Sequence, residues 1–148
     1  MMIWVDADSC PKQVRTIVER AANKRKIACV FVANRPIPVT PTEYVQSVQT
    51  EDTDQAADNY ICEHAQKTDL VITRDIPFAK KLVDAGITVI NDRGREFTAN
   101  DINTILSERN FMYELAAAGL TPEKTSSFSK KDGQKFAANF DRILNGKN

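Results

Sequence analysis

A chain of 148 residues with 42% hydrophobic and 27% charged residues has the size and composition of one globular domain. A formal net charge of zero gives no global sign of a nucleic-acid-binding protein, and no apolar run approaches the roughly 20 residues of a transmembrane helix. Three cysteines without CxxC spacing and a single histidine argue against a disulfide framework and a zinc site. Because Asp6 and Asp8 interrupt the first apolar run too early for a signal peptide, we expect a cytoplasmic protein with no membrane partner.

The apolar pattern predicts strands that alternate with helices along one domain, residues 1–148. In chain order we expect a strand at 2–5, a helix at 11–24, strands at 27–32 and 44–48, a helix at 53–67, a strand at 70–72, a helix at 77–85, a strand at 87–90 and a helix at 101–118. A loop at 119–133 should precede a final helix that docks through Phe136, Phe140, Ile143 and Leu144. This order predicts an α/β three-layer sandwich with a mainly parallel sheet of about five strands and helices at the C-terminus.

Carboxylates follow two of the predicted strands. Asp6 and Asp8 come directly after the first strand, and Asp75 follows the strand at 70–72. Ligands of open parallel sheets bind beyond the carboxyl ends of the strands, near the point where the strand order reverses. If the two strands are neighbours, the three carboxylates share one rim of the sheet.

The helix predicted at 53–67 adds two acids to this rim. Asp54 and Asp58 belong to a stripe that continues through apolar residues at steps of three and four, so the stripe should face the sheet. We therefore expect both acids to point inward from the upper end of the helix, whereas Asp52 points away.

Helix capping is an alternative explanation for some of these acids. Asp8 can cap the helix that begins near Pro11, and Asp75 can cap the helix that begins near Pro77. Asp54 lies in a predicted first turn, where the helix dipole favours an anion. Capping does not explain the other two acids, because Asp58 lies too deep in its predicted helix and Asp6 ends an apolar strand. One cluster therefore explains the five acids better than five separate causes.

A cluster of carboxylates needs a cation, because like charges within about 4–6 Å raise one another's pKa. Oxygen ligands favour Mg²⁺ or Mn²⁺ over zinc, and bound Mg²⁺ usually completes its shell with water and phosphate oxygens. The pattern therefore predicts metal-assisted hydrolysis of a phosphodiester. The expected metal ligands are Asp6, Asp8, Asp54, Asp58 and Asp75.

Four segments, VDADSCP, DTDQAADNYICEHA, DLVITRDIPFA and DRGREF, resemble in this order the YaiI/YqxD family of small bacterial proteins. That family has no firmly assigned activity, but it is similar to PIN-like domains, which are metal-dependent ribonucleases with a parallel sheet and an acidic rim. The resemblance implies a nuclease that uses Mg²⁺ or Mn²⁺ and acts on RNA. It matches Asp6 to the acid after the first strand, Asp54 or Asp58 to the acid on the helix, and Asp75 to the acid after the fourth strand. We take Asp6, Asp58 and Asp75 as the catalytic set.

Three arginines, Arg74, Arg93 and Arg95, lie just beyond predicted strand ends on the same rim. They could hold phosphates bidentately, or they could be solvated side chains and partners for the aspartates. Without a basic cluster, a neutral chain should bind long nucleic acid weakly. Five aromatic residues are expected in the core or at docking surfaces rather than as base-stacking platforms: Phe97, Phe111, Tyr113, Phe128 and Phe136.

Two other functions remain open from the sequence. Asp6 and Asp8 have the Asp-x-Asp spacing of haloacid-dehalogenase-like phosphatases, in which one acid attacks phosphorus and the other protonates the leaving group. However, DADSCP lacks the usual Thr and apolar residue after the pair. The second is a non-catalytic module that keeps the acidic pocket for a metal or a nucleotide. The sequence also leaves the oligomeric state open.

Overall fold

One six-stranded sheet runs through the protein, which a computed structural model describes over residues 1–120 and 127–147. Its strands are β1 (Met2–Asp6), β2 (Ala28–Ala33), β3 (Val45–Gln49), β4 (Leu70–Ile72), β5 (Thr88–Ile90) and β6 (Glu96–Phe97). The helices are α1 (Lys12–Arg25), α2 (Ala56–His64), α3 (Ile76–Asp84), α4 (Ile102–Ala117) and α5 (Lys130–Lys147), and a short 3-10 turn occupies Ala7–Ser9. The predicted α/β fold is confirmed, with β6 as a further strand that we did not predict.

The strand order is β3-β2-β1-β4-β5-β6, and only the β5–β6 pair is antiparallel. The chain moves outward from β1 to β3 and then returns to the other side of β1 with β4. The order therefore reverses between β1 and β4, which is the point where open α/β sheets bind ligands. These two strands are neighbours, with Val5 opposite Ile72.

Helices cover both faces of the sheet, which explains why its central strands are continuous apolar runs. Alternate residues of β1 enter different cores: Ile3 and Val5 pack under α1 and α5, whereas Trp4 packs under α2, α3 and α4. The result is the three-layer sandwich that we predicted. The four residues expected to dock the final helix are buried, namely Phe136, Phe140, Ile143 and Leu144. In the described part of the chain, none of the helices combines the length and the apolar character needed to cross a membrane.

The helix predicted at 53–67 is shorter than expected. It spans Ala56–His64, because the preceding residues form bends and turns and Ala65 leaves the helix with extended backbone. Asp54 therefore precedes the helix, and Asp58 lies in its first turn. Both predicted positions along the helix were wrong by about one turn.

The loop predicted at 119–133 is described only in part, since 121–126 lie outside the described residues. Its end was placed too late, because α5 begins at Lys130. Ser129 N donates to Asp132 Oδ2 at 2.9 Å, and Asp132 N donates to Ser129 Oγ at 3.2 Å. This reciprocal capping box starts the helix inside the predicted loop.

Gly94→Ala is expected to lower the free energy of unfolding by about 2–4 kcal/mol. Gly94 lies in the β5–β6 turn at a φ of +83°, and a Cβ there would approach the Lys135 carbonyl oxygen and Asn139 Nδ2 of α5 to 2.9 Å. Gly119→Ala is the control, because Gly119 has a φ of +80° but no atom within 4 Å of the added Cβ. Urea unfolding should show the larger loss for Gly94→Ala. Equal losses would mean that contact with α5 adds nothing.

Candidate functional site

The site lies where β1 and β4 end, at the centre of the sheet. Asp6 is the last residue of β1, and Thr73 and Asp75 follow β4. Because the two strands are parallel neighbours, their carboxyl ends reach the same rim. The rim predicted from the sequence therefore exists for the first strand and the fourth.

Asp6 is 8% exposed and is bonded to the segment that follows the neighbouring strand. Thr73 Oγ1 donates to Asp6 Oδ2 at 2.8 Å, and Asp75 N donates to Thr73 Oγ1 at 3.0 Å. The pKa of Asp6 is raised to about 6, mainly by burial; the hydrogen bond from Thr73 opposes this rise, and the charges of Asp8 and Asp75 contribute to it. A buried carboxylate repelled by two others is a group that a cation would stabilise.

Asp75 caps a helix and also faces a cavity. Its Oδ1 accepts from Phe78 N at 3.1 Å, so Asp75 is the N-cap of α3, and the capping explanation is confirmed for this residue. The side chain nevertheless stays exposed and lines the cavity that lies beside α3. Capping therefore leaves Asp75 accessible to a ligand.

The cavity has a volume of about 280 Å³ and is bordered by α2, α3 and α4. Asp54, Asp58 and Asp75 contribute carboxylates to its lining, and Lys81 and Arg109 contribute cations. Asp6 does not line it. Asp6 instead borders a much smaller crevice of about 10 Å³ shared with Thr73, Arg74 and Asp92.

Asp58 connects this cavity electrostatically to the strand ends. The pKa of Asp58 is raised to about 7, mainly by burial and also by the charges of Asp6, Asp75 and, more weakly, Asp8, while Lys81 opposes the rise. The charges at the strand ends therefore act on Asp58. The sequence expectation that Asp58 points inward agrees with its partial burial.

Asp8 and Asp54 are placed differently from the central acids. Both oxygens of Asp8 accept from Asn34 N, at 3.2 and 3.0 Å, and Arg35 Nε lies 3.7 Å from Oδ1. These contacts hold Asp8 at the end of β2. Asp54 is exposed and reaches the site only as part of the cavity lining.

The three arginines predicted to hold phosphate each pair with an aspartate. Arg74 bonds to buried Asp92, and Arg93 Nη1 lies 3.9 Å from the same carboxylate. Arg93 Nε also lies 3.5 Å from Asp132 Oδ2. Arg95 Nη2 lies 3.9 Å from Asp101 Oδ2. Each arginine thus has an acidic partner, which was the alternative to phosphate binding in the sequence analysis.

Sequence reasoning missed Thr73, Lys81 and Arg109. Thr73 fixes the orientation of Asp6, and the two cations line the acidic cavity. Lys81 lies on the helix that Asp75 caps, but the two are six residues apart, which is not a spacing that places two residues on one helix face. Arg109 had no sequence signal, because α4 reaches the cavity only through its packing on α3.

The donor set at this rim suits a hard cation, since it consists of carboxylate oxygens whose charges repel one another. In residues 1–120 and 127–147, however, no group of three or more His, Cys, Asp or Glu side chains is already arranged to hold a metal ion. An ion at this rim would therefore need side-chain adjustment and water ligands, and Mg²⁺ sites usually retain several waters.

Comparisons with known proteins agree on one family. Residues 4–146 match the family model described as "Uncharacterized BCR, YaiI/YqxD family". A UPF0178 protein of Treponema denticola is 57% identical over 144 residues, which cover 97% of this chain and 92% of the relative. UPF0178 proteins of Treponema pallidum and Psychromonas ingrahamii are 51% and 44% identical, over 96% and 97% of this chain and 80% and 95% of the relatives. No solved structure matches the chain.

Proposed function

The chain belongs to the YaiI/YqxD family, and we propose that it is a divalent-metal-dependent nuclease or phosphodiesterase that acts on RNA. One observation carries the proposal. Carboxylates from β1, α2 and the segment after β4 repel one another, and Asp58 has its pKa raised both by burial and by the charges of Asp6 and Asp75. Such repulsion costs stability, and a bound cation would remove it.

Asp6, Asp58 and Asp75 would hold Mg²⁺ or Mn²⁺, with Asp8 and Asp54 as further oxygen donors. When bound, the ion would activate a water molecule and stabilise charge on the phosphoryl oxygens. The protein's own hydrogen bonds orient two of the ligands: Thr73 holds Asp6 Oδ2, and Phe78 N holds Asp75 Oδ1. The second oxygen of each carboxylate would then be the ligand atom.

The PIN-like part of the proposal rests on the resemblance together with the fold. The sheet is parallel from β3 through β5. An acid ends β1, another lies on α2 and a third follows β4, which agrees with the order that the resemblance implies. RNA as the substrate, and the cytoplasm as the location, are proposals drawn from the resemblance and the sequence. The proposal does not use Asp8 as a general acid, because backbone and arginine contacts hold that carboxylate at β2.

Asp58→Asn and Asp75→Asn are expected to weaken Mn²⁺ binding strongly without unfolding the protein. Each substitution deletes one negative ligand, and the asparagine that replaces Asp75 would still cap α3 because Asn and Asp are similar N-caps. Calorimetric titration should detect Mn²⁺ binding to the parent protein. Each variant should bind at least about tenfold more weakly, since even outer-shell changes at metal sites have effects of that size.

Asp52→Asn is the matched control, because Asp52 is exposed and does not line the cavity. It should bind Mn²⁺ as the parent does. Cleavage of an RNA oligonucleotide with Mn²⁺, compared with EDTA, then tests the reaction itself. Binding without cleavage would indicate a non-catalytic module, and a parent protein that binds neither Mn²⁺ nor Mg²⁺ would refute the proposal.

A further inference from the structure

We propose that Lys81, Arg109 and Tyr113 form a binding surface for single-stranded nucleic acid beside the acidic cavity. The two cations would bind phosphates of the strand, and the tyrosine ring would stack on an unpaired base. This inference rests on the proposed function, since it names how the substrate of that site is held. It assigns phosphate binding to α3 and α4 instead of to the three arginines predicted from the sequence.

The charge distribution around the cavity supports this assignment. Its lining combines three carboxylates, from Asp54, Asp58 and Asp75, with two cations, from Lys81 of α3 and Arg109 of α4. The helices α3 and α4 pack against each other. A phosphodiester bound there would place its anionic oxygens near the two cations and its backbone beside the carboxylates. Within the part of the chain that the structure describes, neither Lys81 nor Arg109 forms an ion pair.

These two cations differ in this respect from the arginines at the strand ends. Arg74, Arg93 and Arg95 each pair with an aspartate, and a phosphate would have to displace that partner. Lys81 is exposed and borders the cavity directly. Its charge acts on Asp58, but no ion-pair partner among the described residues would have to be displaced for Lys81 to bind a phosphate, and phosphate neutralisation supplies much of the affinity for nucleic acid.

Arg109 is held in position by an aromatic neighbour. Its guanidinium carbon lies 4.4 Å from the centroid of the Tyr113 ring, one helical turn further along α4, and Nη1 donates to Asn110 Oδ1 at 3.2 Å. A cation–π contact of this kind orients the guanidinium without neutralising its charge. Arg109 is thus directed by residues that do not compete with a phosphate.

The exposed aromatic rings on α4 favour a single-stranded nucleic acid over a duplex as the ligand of this surface. We expected Phe111 and Tyr113 in the core or at a docking surface, but they are not core residues, since they are 57% and 62% exposed. Aromatic side chains beside phosphate-binding cations are the usual platform for bases that have no pairing partner. A duplex hides its base faces and could use only the cations, so the surface should prefer a single strand.

Lys81→Gln and Arg109→Gln should each weaken binding of a fluorescein-labelled eight-nucleotide oligouridylate RNA by about tenfold, as expected for one charged hydrogen bond. Tyr113→Ala should weaken binding by a similar factor through lost stacking, and Tyr113→Phe should restore it. Fluorescence anisotropy in EDTA measures these affinities without cleavage. The log–log salt slope of the parent should be about −1.4, and each cation removed should reduce its magnitude by about 0.7.

Lys80→Gln and Arg95→Gln are the matched controls. Lys80 neighbours Lys81 on α3 but pairs with Asp84 at 2.9 Å, and Arg95 pairs with Asp101. Both controls should bind the oligonucleotide as the parent does. The proposal would be overturned if they lost as much affinity as the cavity variants, or if an RNA duplex bound as tightly as the single strand.

Two further outcomes separate this inference from the proposed function. Retained cleavage with unchanged KM in the Lys81→Gln and Arg109→Gln variants would overturn the binding surface and leave the nuclease proposal standing. Oligonucleotide binding that depends on the three residues, without metal-dependent cleavage, would support the binding surface and refute the nuclease proposal.

Analytical ultracentrifugation tests whether a second copy of the chain covers the exposed rings instead. A dimer that dissociates on Tyr113→Ala would assign the rings to self-association and overturn the proposal.

Discussion

Asp6→Asn is expected to make the metal-free protein more stable at pH 8 than the parent and, at the same time, to abolish its stabilisation by Mn²⁺. Burial and the nearby charges of Asp8 and Asp75 disfavour the ionised form of Asp6, whose pKa rises from 3.8 to about 6. A neutral amide removes this repulsion and can still accept the hydrogen bond from Thr73. It also removes a proposed ligand of the cation.

The direction of the pH dependence follows from the raised pKa. The folded protein binds a proton at Asp6 more tightly than the unfolded chain, so this stabilisation is fully present below pH 3.8 and is lost as the pH rises through about 6. A difference of this size corresponds to about 3 kcal/mol. Relative to Asp6→Asn, the parent should therefore lose about 2–3 kcal/mol of unfolding free energy between pH 4 and pH 8 in EDTA, because the unfolded carboxyl is already partly ionised at pH 4.

Urea unfolding of both proteins across this pH range measures the effect, and the difference between them at pH 4 corrects for the cost of burying the amide NH₂. Asp84→Asn is the control, since Asp84 is an exposed partner of Lys80. Mn²⁺ should stabilise the parent at pH 8 and progressively less at pH 5, because protons compete for the carboxylates. A difference between parent and variant that is independent of pH would contradict the account of Asp6.

Asp69→Ala is expected to lower the free energy of unfolding by about 3–5 kcal/mol, a large share of a domain's stability. Asp69 is 4% exposed and lies at the opposite end of β4 from the acidic rim. Its carboxylate accepts from Met2 N at 2.8 Å, Trp4 Nε1 at 3.1 Å and Gln66 N at 2.9 Å. Alanine would leave the buried indole N–H without an acceptor and release the start of β1 from β4.

Chemical denaturation followed by fluorescence checks this prediction, because the chain has one tryptophan, Trp4, and it is the residue in contact. Asp84→Ala is the comparison, since it removes only a surface i,i+4 pair worth about 0.3–0.5 kcal/mol. A loss for Asp69→Ala no larger than that of Asp84→Ala would show that the three hydrogen bonds add no net stability. Mn²⁺ binding should remain in Asp69→Ala under conditions where the variant is folded, because Asp69 is not part of the site.

These two aspartates show how far residue type predicts role. Asp6 and Asp69 are both buried and both adjoin central strands, yet one is repelled by like charges and the other is satisfied by three N–H donors. The sequence indicated Asp6 because it lies at the carboxyl end of a strand, where ligands bind. It contained no signal for the donors around Asp69, since Trp4 lies 65 residues away along the chain.

Local pattern determined most of the fold of this protein. Continuous apolar runs predicted strands covered on both faces, and a helical stripe of four apolar residues predicted how α5 docks. Boundaries were less well determined, because capping and tertiary contacts decide them. Asp54 was expected in a first turn but precedes α2, and a capping box starts α5 within the predicted loop.

The sequence by itself determined the strand-helix order and placed Asp6 and Asp75 at the carboxyl ends of their strands, because strand periodicity and strand ends are local properties of the chain. The tertiary structure decided that these two strands are neighbours, so that the two acids share one rim. Only the tertiary structure decided which charges at that rim are already neutralised. Arg74 is paired with Asp92, whereas Lys81 and Arg109 border the acidic cavity, since the packing of α4 on α3 brings together residues 28 positions apart. Electrostatic partnership depends on distance in space, and the spacing of residues along a chain does not specify it.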